Sequence, residues 1–278
     1  MTKLTDEQLS SFQENGFIIL EKAFNEDEIK SMRKEADFIL NLMVNSSLAN
    51  KRQSGRLDIK TQANGNHIIR KVQPINDLSL FLSQMSADDR LLDPMRQIMD
   101  DEPILMEEKL NYKQAFDYTI DGIEAPQRED GFPIHSDWAY YSAQNYPQEI
   151  LSSAISMDDS NMDSGPIRVW PGSHKTFLEH EGMNNGFQVK EGLIDFDGGE
   201  EILAPAGSVM IFHSLLVHNS NPNTSGKPRR LMIYSHYPKA AAMGHDIRNG
   251  AGRLIESPYE LEYMRKKISG EYSDQFTI

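Results

Sequence analysis

The sequence contains no cysteine, and this absence excludes disulfides, thiol nucleophiles and thiolate metal sites. Any metal ion must therefore bind His, Asp or Glu side chains, which suit hard or borderline cations. Basic residues are also scarce, because 28 Lys and Arg face 42 Asp and Glu and leave a formal net charge of −14. Nucleic acids and anionic membranes attract clustered basic side chains, so we expect neither as a partner.

Long hydrophobic runs are missing as well. No segment approaches the roughly 18 consecutive apolar residues that a transmembrane helix needs. The first residues, MTKLTDEQLSSFQENG, lack the apolar stretch of a signal peptide. We therefore expect a cytoplasmic protein.

The chain length of 278 residues and the hydrophobic fraction of 38% are sufficient for one core. We predict a single domain over residues 1–278, with a helical part over about 1–100, a β core over about 103–240 and a closing segment over 241–278. From Pro103 onward, short runs rich in Ile, Val, Tyr and Phe are broken about every 8 to 12 residues by turn-forming residues. This pattern is typical of a β-sandwich or barrel. The charged tail ESPYELEYMRKKISGEYSDQ predicts a closing surface helix.

The helical part contains recognisable start signals. Thr5 is followed three residues later by Gln8, which is a capping-box pattern, and GFIILEKAF then has the composition of a strand. Asn25 can cap a second helix from Glu26 to about Met43. The polar stretch over residues 45–66 instead predicts a loop, which we interpret as a lid that orders over the site when substrate binds.

A candidate metal site lies in the segment FPIHSDWAYY. His135 and Asp137 are two residues apart, so on a strand both side chains would leave the same face and could bind one ion. Such a triplet is common by chance, and a third ligand is needed. His213 and His218, in a predicted hairpin further along, are both candidates. Two histidines and one carboxylate form the facial triad of non-haem Fe(II) oxygenases, which leaves coordination positions open on one side of the metal.

Two arginines follow the hairpin turn. Arg229 and Arg230 begin the predicted second strand, where a guanidinium can bind a carboxylate through two parallel hydrogen bonds. Ser220 adds a hydroxyl donor close by in sequence. Because strand residues alternate between faces, Arg229 and Arg230 should point in opposite directions.

Four segments together resemble the phytanoyl-CoA dioxygenase family, in matching order and spacing. They are LTDEQLSSFQENGFIIL, the triplet HSD at residues 135–137, SGPIRVWPGSHK, and the stretch from His218 to Arg229. The resemblance covers most of the chain. It implies a mainly β fold with flanking helices, namely a double-stranded β-helix or cupin-like jelly roll.

The same resemblance implies the roles of individual residues. His135, Asp137 and His218 would be the Fe(II) ligands, and His213 would be structural. Arg229 would bind the far carboxylate of 2-oxoglutarate with support from Ser220. The segment KLNYKQAF resembles the family's strand before the first ligands, so it adds two candidate contacts to 2-oxoglutarate, Asn111 and Lys113.

Four further residues are candidate substrate contacts, and each has a structural alternative. Trp138 and Tyr140 follow the metal motif and can stack on a substrate, although aromatic residues on strands are usually core. Arg168 lies in the apolar strand GPIRVW, where it either binds an anion or forms a structural ion pair. Glu107 could bind a substrate amine or lie at a solvated strand end.

The function expected from the resemblance is hydroxylation of a small polar metabolite by Fe(II), 2-oxoglutarate and O2, with release of succinate and CO2. The carboxylate of Asp137 argues against halogenation, because chlorinating relatives have Gly or Ala at that position. Two alternatives stay open from the residues alone: a cupin-like isomerase or hydrolase with the same three ligands, and a binding module without turnover. We expect a monomer or homodimer whose partner is a small-molecule substrate.

Overall fold

Antiparallel strands supply most of the regular structure in the computed structural model, which describes residues 3–127, 131–184, 186–244 and 258–278. The strands found there are β1 (Phe17–Leu20), β2 (Leu57–Thr61), β3 (His67–Val72), β4 (Pro103–Ala115), β5 (Phe132–His135), β6 (Leu151–Ser156), β7 (Ile167–Val169), β8 (His180–Met183), β9 (Gly186–Val189), β10 (Glu200–Glu201), β11 (Val209–His213), β12 (His218–Ser220) and β13 (Leu231–Pro238). The α-helices are α1 (Asp6–Asn15), α2 (Glu26–Ala49), α3 (Leu80–Met85), α4 (Asp89–Met99), α5 (Trp138–Tyr141) and α6 (Pro258–Ser269).

The strands form two main sheets. The larger sheet has seven strands in the order β1-β11-β6-β13-β4-β3-β2, and the smaller has four in the order β10-β7-β12-β5. Strands β8 and β9 form a separate hairpin. Neighbouring strands that are far apart in sequence, such as β1 with β11 and β6 with β13, give the crossed connections of a jelly roll. The predicted double-stranded β-helix is confirmed.

The predicted capping box at Thr5 and the predicted cap at Asn25 are both present, and the cap at Asn25 is also a capping box. The Thr5 hydroxyl accepts a hydrogen bond from the Gln8 backbone N–H (3.2 Å), and the Asn25 side chain accepts one from the N–H of Glu28 (3.0 Å). In each case the side chain at the third helical position accepts in return from the capping residue. The helix that begins after Asn25 is longer than predicted, because it continues to Ala49 rather than ending near Met43.

The loop predicted over residues 45–66 is wrong for much of its length. Helix α2 occupies its first residues and strand β2 its later ones. In β2, Leu57 and Ile59 are buried, whereas Asp58 and Lys60 are only partly covered. The alternation of buried and partly exposed residues therefore extends over only a few positions. A short edge strand with polar residues on one face has the composition of a loop. The part of the chain before residue 100 therefore adds β1, β2 and β3 to the larger sheet.

The two faces of the larger sheet have different roles. On β4, Leu110 and Tyr112 belong to the main core, which α2 covers, and the Tyr112 hydroxyl donates to the Ala36 carbonyl of that helix (2.8 Å). Because strand side chains alternate, Lys109 and Asn111 face the other way, into a cavity beside the smaller sheet. A second apolar cluster fills the rest of the space between the sheets. The larger sheet thus packs on helices with one face and lines the cavity with the other.

The chain end is fixed to α2. Helix α6 confirms the predicted closing helix, although residues 256 and 257 of that segment lie outside the described residues. Asn45, which is fully buried in α2, donates to the carbonyl of Phe276 (2.8 Å) and accepts from the N–H of Gln275 (2.9 Å) and of Phe276 (3.2 Å). The tail therefore packs on the helical layer.

The helices of the described part do not include one that is both long and apolar enough to cross a membrane. The cytoplasmic location stays a prediction.

Candidate metal centre

Three side chains converge where the smaller sheet meets α5. His135 ends β5 and His218 begins β12, and the two are direct partners across these paired strands. The Oδ1 atom of Asp137 lies 3.8 Å from Nε2 of His135 and 3.9 Å from Nε2 of His218. One ligand atom from each residue lies within 4.8 Å of the others. In the part of the chain that the structure describes, this is the group of His, Asp and Glu side chains that could hold a metal ion.

The carboxylate reaches this group from a turn rather than from a strand. Strand β5 ends at His135, and Asp137 has helical backbone angles (φ −58°, ψ −33°) directly before α5. The N–H of Trp138 donates to the carbonyl of Ser214 (3.0 Å) and fixes the start of that helix. The predicted convergence of His135 and Asp137 is therefore present, but the prediction that both lie on one strand is wrong.

Backbone carbonyls orient both imidazole rings. The Nδ1 atoms of His135 and His218 lie 2.7 Å from the Pro133 oxygen and 2.9 Å from the Leu216 oxygen. A carbonyl oxygen only accepts, so each Nδ1 carries the proton and each Nε2 presents a lone pair to the centre of the group. Burial and the neighbouring His135 also lower the pKa of His218 to about 4, which keeps that ring neutral. Both rings thus direct Nε2 at the centre of the group, which is the orientation that binds a metal.

Asp137 stays ionised although it is only 7% exposed. Burial alone would raise its pKa, but the Lys109 ammonium and the two histidines outweigh burial and hold the pKa well below its usual range. Lys109 responds in the opposite direction, because the Glu107 and Asp137 carboxylates raise its pKa against the effect of burial. Two neutral nitrogens and one carboxylate match the donor set of a facial Fe(II) site.

A cavity of about 350 Å³ opens beside the three side chains. Its charged and polar lining comes from β2, β3, β4, β12 and the residues before β13, and it includes Asp58, Arg70, Lys71, Gln73, Glu107, Lys109, Asn111, Ser220 and Arg229. Aromatic rings of Phe132, Tyr140, Tyr141 and Phe212 complete part of the wall. The volume suits a small ligand in contact with the metal group.

Arg229 presents a buried cation to this cavity. Its residue exposure is 3%, its Nε atom has no hydrogen-bond partner, and none of the described carboxylates lies within 4.0 Å of it. Burial lowers the pKa of Arg229 to about 10, although the Asp158 carboxylate acts in the opposite direction. Ser220, 6% exposed, lines the same cavity. A buried guanidinium without an anion fits a site for a carboxylate ligand.

Comparison with known proteins now identifies the family. Residues 12–231 match the family described as phytanoyl-CoA dioxygenase (PhyH). The chain belongs to the phytanoyl-CoA dioxygenase family. It is a non-haem Fe(II)- and 2-oxoglutarate-dependent dioxygenase, with O2 as its other cosubstrate.

The relatives of this dioxygenase include the ectoine dioxygenase of Halomonas elongata. The two are 28% identical over 245 residues, which is 81% of this chain and 68% of the relative. The fold is similar to that of EctD from S. alaskensis with bound Fe, with a TM-score of 0.65 and 23% identity over 93% of this chain and 83% of that chain. For the EctD structure with 2-oxoglutarate and 5-hydroxyectoine, the TM-score is 0.64 and the identity 24%, over 86% of this chain and 77% of that chain. These comparisons favour the oxygenase over the two alternative functions.

The two predicted contacts on β4 have different surroundings in the dioxygenase. Asn111 lines the cavity, and its Oδ1 atom is buried without a partner. Lys113 is fully buried outside the cavity lining, where its ammonium donates to the carbonyls of Gly165 (3.3 Å) and Asn221. Of the two, only Asn111 has a side chain directed at the space beside the metal group.

Two of the four predicted substrate contacts line the cavity. Tyr140 packs edge-on against the His135 ring (5.5 Å), and its hydroxyl accepts from the Phe187 N–H (3.0 Å). Glu107 accepts from the Lys109 ammonium (2.7 Å) and from the Tyr141 hydroxyl (2.9 Å). Glu107 is therefore a paired carboxylate inside the cavity and does not lie at a solvated strand end.

The other two predicted contacts lie outside the cavity lining. Trp138 packs edge-on against Phe177 (4.8 Å) and donates from its indole to the Tyr146 carbonyl. On β7, Ile167 lines the cavity, so alternation directs Arg168 to the opposite face. There its guanidinium lies 4.0 Å from the Glu201 carboxylate, as the structural alternative expected. Their positions give no support to the substrate roles predicted for Trp138 and Arg168.

Several cavity residues were missed by sequence reasoning. Arg70, Lys71 and Gln73 come from β3 and the residue after it, and Asp58 comes from β2, which was interpreted as loop. The available signal was the run HIIRKV, in which charged residues interrupt an apolar strand. His180 was also missed, and its Nε2 accepts from the N–H of Ser136 (3.0 Å), the residue between His135 and Asp137.

Proposed function

We propose that this dioxygenase hydroxylates a small polar metabolite and converts 2-oxoglutarate to succinate and CO2 in the same cycle. The observation that carries this proposal is the buried group of His135, Asp137 and His218 beside a cavity that also contains the uncompensated Arg229 guanidinium. A metal ion and a carboxylate-bearing cosubstrate would satisfy these two features together.

In this proposal His135, Asp137 and His218 hold the iron. The carbonyls of Pro133 and Leu216 fix the two rings, and the turn before α5 directs the Asp137 carboxylate toward them. Three protein ligands leave the remaining coordination positions directed at the cavity. When bound there, iron and 2-oxoglutarate supply the activation of O2 and the oxidising equivalents.

Arg229 and Ser220 bind the far carboxylate of 2-oxoglutarate in the proposed complex. Burial strengthens this contact, because the guanidinium would exchange an uncompensated charge for two charge-assisted hydrogen bonds. The Asn111 side chain lies on the strand next to Leu231, just beyond Arg229, and can donate to the cosubstrate from the same wall. Lys113 has no part in this contact, since its ammonium is engaged by carbonyls outside the cavity.

The size and lining of the cavity support a small polar substrate. A cavity of about 350 Å³ beside the metal group suits 2-oxoglutarate together with a small substrate, and its charged lining favours a polar one. Similarity to ectoine dioxygenase agrees with a small metabolite, but at 28% identity we do not transfer ectoine itself.

The test is whether the three ligands are required for cosubstrate binding and turnover. With Fe(II) and 2-oxoglutarate under anaerobic conditions, the wild type should give a weak visible charge-transfer band, and Asp137→Ala and His218→Ala should lose it. Substrate-stimulated succinate release should disappear in both variants, because each removes one of three ligands. His213→Ala is the matched control, since His213 packs on His174 (ring centroids 5.7 Å apart) outside the group. Loss of iron binding in His213→Ala, with His218→Ala intact, would overturn the ligand assignment.

A further inference from the structure

The cavity carries a net positive charge in an acidic protein. Four cations line it, Arg70, Lys71, Lys109 and Arg229, against three carboxylates, Asp58, Glu107 and Asp137. Fe(II) and the two carboxylates of 2-oxoglutarate have opposite and equal charges, so loading both leaves this balance unchanged. One positive charge therefore remains in a cavity whose protein has a formal net charge of −14.

The ion pairs within the cavity identify the cation that carries the remaining positive charge. Lys109 lies 2.7 Å from Glu107, and Arg70 lies 3.5 Å from Asp58. Asp58 is also bound by Lys60 at 2.7 Å, so its charge is already shared by two partners. Arg229 is assigned to the cosubstrate in the proposed function. Lys71 remains, and none of the described carboxylates lies within 4.0 Å of its ammonium.

The surroundings of Lys71 do not neutralise it. Its ammonium donates to the amide oxygen of Gln73 (3.0 Å), and the Gln73 amide nitrogen donates to Glu107 (2.6 Å). An ammonium has three hydrogens to donate, so this arrangement leaves two of them for a ligand. Burial and the neighbouring Lys109 lower the pKa of Lys71 more than the Glu107 and Asp58 carboxylates, neither in direct contact with it, raise it.

The position of Lys71 separates it from the cosubstrate contacts. On the larger sheet Lys71 is the direct cross-strand partner of Asn111, and Asn111 is in turn the partner of Leu231, which follows the two arginines. Lys71 is therefore two strands away from the Arg229 end of β13, on the far side of Asn111. A ligand held by Lys71 would occupy the part of the cavity beyond 2-oxoglutarate.

We propose that the substrate is a small anion whose carboxylate or phosphonate group binds the Lys71 ammonium. This inference deepens the proposed function and rests on it. The substrate's anionic group would accept hydrogen bonds from the two remaining N–H groups of Lys71, and its reacting carbon would lie in the same cavity as the metal group. The Gln73 and Glu107 side chains hold Lys71 in place without supplying a charge that directly pairs with it.

The test compares matched acids and neutral derivatives as probes. Succinate release from 2-oxoglutarate is measured with amino acids, their carboxamides, alkylphosphonates and the neutral esters of those phosphonates. The carboxylic-acid arm uses N-acetyl amino acids and their carboxamides, so that each pair compares an anion with a neutral compound. We expect stimulation by acids and not by their neutral partners, and the phosphonates show which anionic group fits. Binding of the same compounds to the anaerobic Fe(II) and 2-oxoglutarate complex, followed by the shift of its visible band, gives a readout independent of turnover.

Variants then assign the effect to Lys71. Lys71→Gln should raise the KM for the stimulating acid by about 10- to 100-fold, and Lys71→Arg should recover part of that loss. Lys30→Gln removes the same charge from an exposed position on α2 and should leave this KM unchanged. If carboxamides stimulate as well as acids, or only neutral compounds shift the band, the substrate is not bound as an anion.

Two other results would also overturn the proposal. An unchanged KM in Lys71→Gln removes Lys71 from the substrate site. A higher requirement for 2-oxoglutarate, with the acid unaffected, assigns Lys71 to the cosubstrate instead. Failure of the proposed function is distinguishable from all of these, because the wild type itself would then give no charge-transfer band with Fe(II) and 2-oxoglutarate.

Discussion

At the scale of single residues, two adjacent arginines have opposite environments. Arg229 is buried against the cavity without a carboxylate partner among the described residues, whereas Arg230 binds Asp158 (2.9 Å) and Asp37 (2.6 Å) on the other side of the sheet. The alternation predicted from the sequence is present, although the strand itself begins at Leu231. Two residues of the same type, one position apart, thus have separable consequences when removed.

Arg229→Ala should raise the dissociation constant of 2-oxoglutarate by about two orders of magnitude or more, because charge-assisted hydrogen bonds contribute roughly 1.5–3 kcal/mol each. Arg229→Lys should recover only part of the affinity, since an ammonium lacks the planar pair of donors. The measurement is a titration of 2-oxoglutarate into each anaerobic Fe(II) protein, followed by the visible band.

Arg230→Ala serves as the control for that titration. It should leave 2-oxoglutarate affinity nearly intact but lower the free energy of unfolding by about 1–3 kcal/mol, because Asp158 and Asp37 lose a hydrogen-bonded cation. Urea unfolding measures this second effect. If Arg230→Ala loses the cosubstrate while Arg229→Ala retains it, the assignment of the two arginines is reversed.

The residue scale also shows why part of the site was predictable. His135, Asp137 and His218 are unusual in combination, a resemblance over four segments adds Arg229 and Ser220, and the further segment KLNYKQAF adds Asn111. Lys71 was not predictable in the same way, because a lysine in a strand has many ordinary roles. Its lack of a carboxylate partner among the described residues becomes visible only when Asp58 and Glu107 are seen to bind other cations.

At the scale of elements, β2 shows how a strand can have the amino-acid composition of a loop. The polar composition of residues 45–66 predicted a loop, whereas Ile59 is 1% exposed within the main core and Asp58 lines the cavity. An edge strand buries every second residue only, so half of its sequence resembles loop. Sequence reasoning identified the first two helices from their capping residues and the β region after Pro103 from its repeated, turn-bounded apolar runs, whereas β2 is a single short run within polar sequence.

Ile59→Ala should lower the free energy of unfolding by about 2–4 kcal/mol, because it removes buried methylene groups and leaves a cavity. Ile59→Val should cost about 1 kcal/mol. Ala63→Ser, at the exposed turn after β2, should change stability by less than about 0.5 kcal/mol. Urea unfolding without iron or substrate provides the measurement.

The stability losses of these variants also decide whether residues 45–66 act as a lid or belong to the folded sheet. A lid that orders only when substrate binds would make Ile59→Ala no more destabilising than Ala63→Ser in the free protein. A large loss in Ile59→Ala would instead mean that β2 belongs to the folded sheet before any ligand arrives.

At the scale of the whole molecule, one buried asparagine connects helix α2 to the C-terminal tail. Asn45 lies in α2, within the first fifth of the sequence, and binds the backbone of Gln275 and Phe276. Phe276 is 4% exposed and packs edge-on against Phe116 at the end of the β4 region (5.6 Å). The tail thus contacts both the helical layer and the larger sheet. The sequence predicted the closing helix, but no pattern in it indicated this pairing.

Asn45→Ala should lower the free energy of unfolding by about 2–4 kcal/mol, because several buried backbone groups lose their partners at once. Asn41→Ala is the matched control, since Asn41 lies one helical turn earlier and accepts one hydrogen bond from the exposed Ile278 N–H (3.0 Å). It should cost less than about 1 kcal/mol. Equal losses in the two variants would contradict a special role for Asn45.

The distribution of the site over two sheets has a consequence for engineering this enzyme. His135 and His218 belong to the smaller sheet, whereas Lys71, Glu107 and Lys109 belong to β3 and β4 of the larger one. A mutant library confined to the inward positions of β3 and β4 would therefore vary the shape and charge of the substrate's surroundings without altering a metal ligand. Leaving Lys109 and Asn111 unchanged in such a library would preserve the cation beside Asp137 and the proposed cosubstrate contact. Selection from it could then explore new substrates while the three metal ligands stay intact.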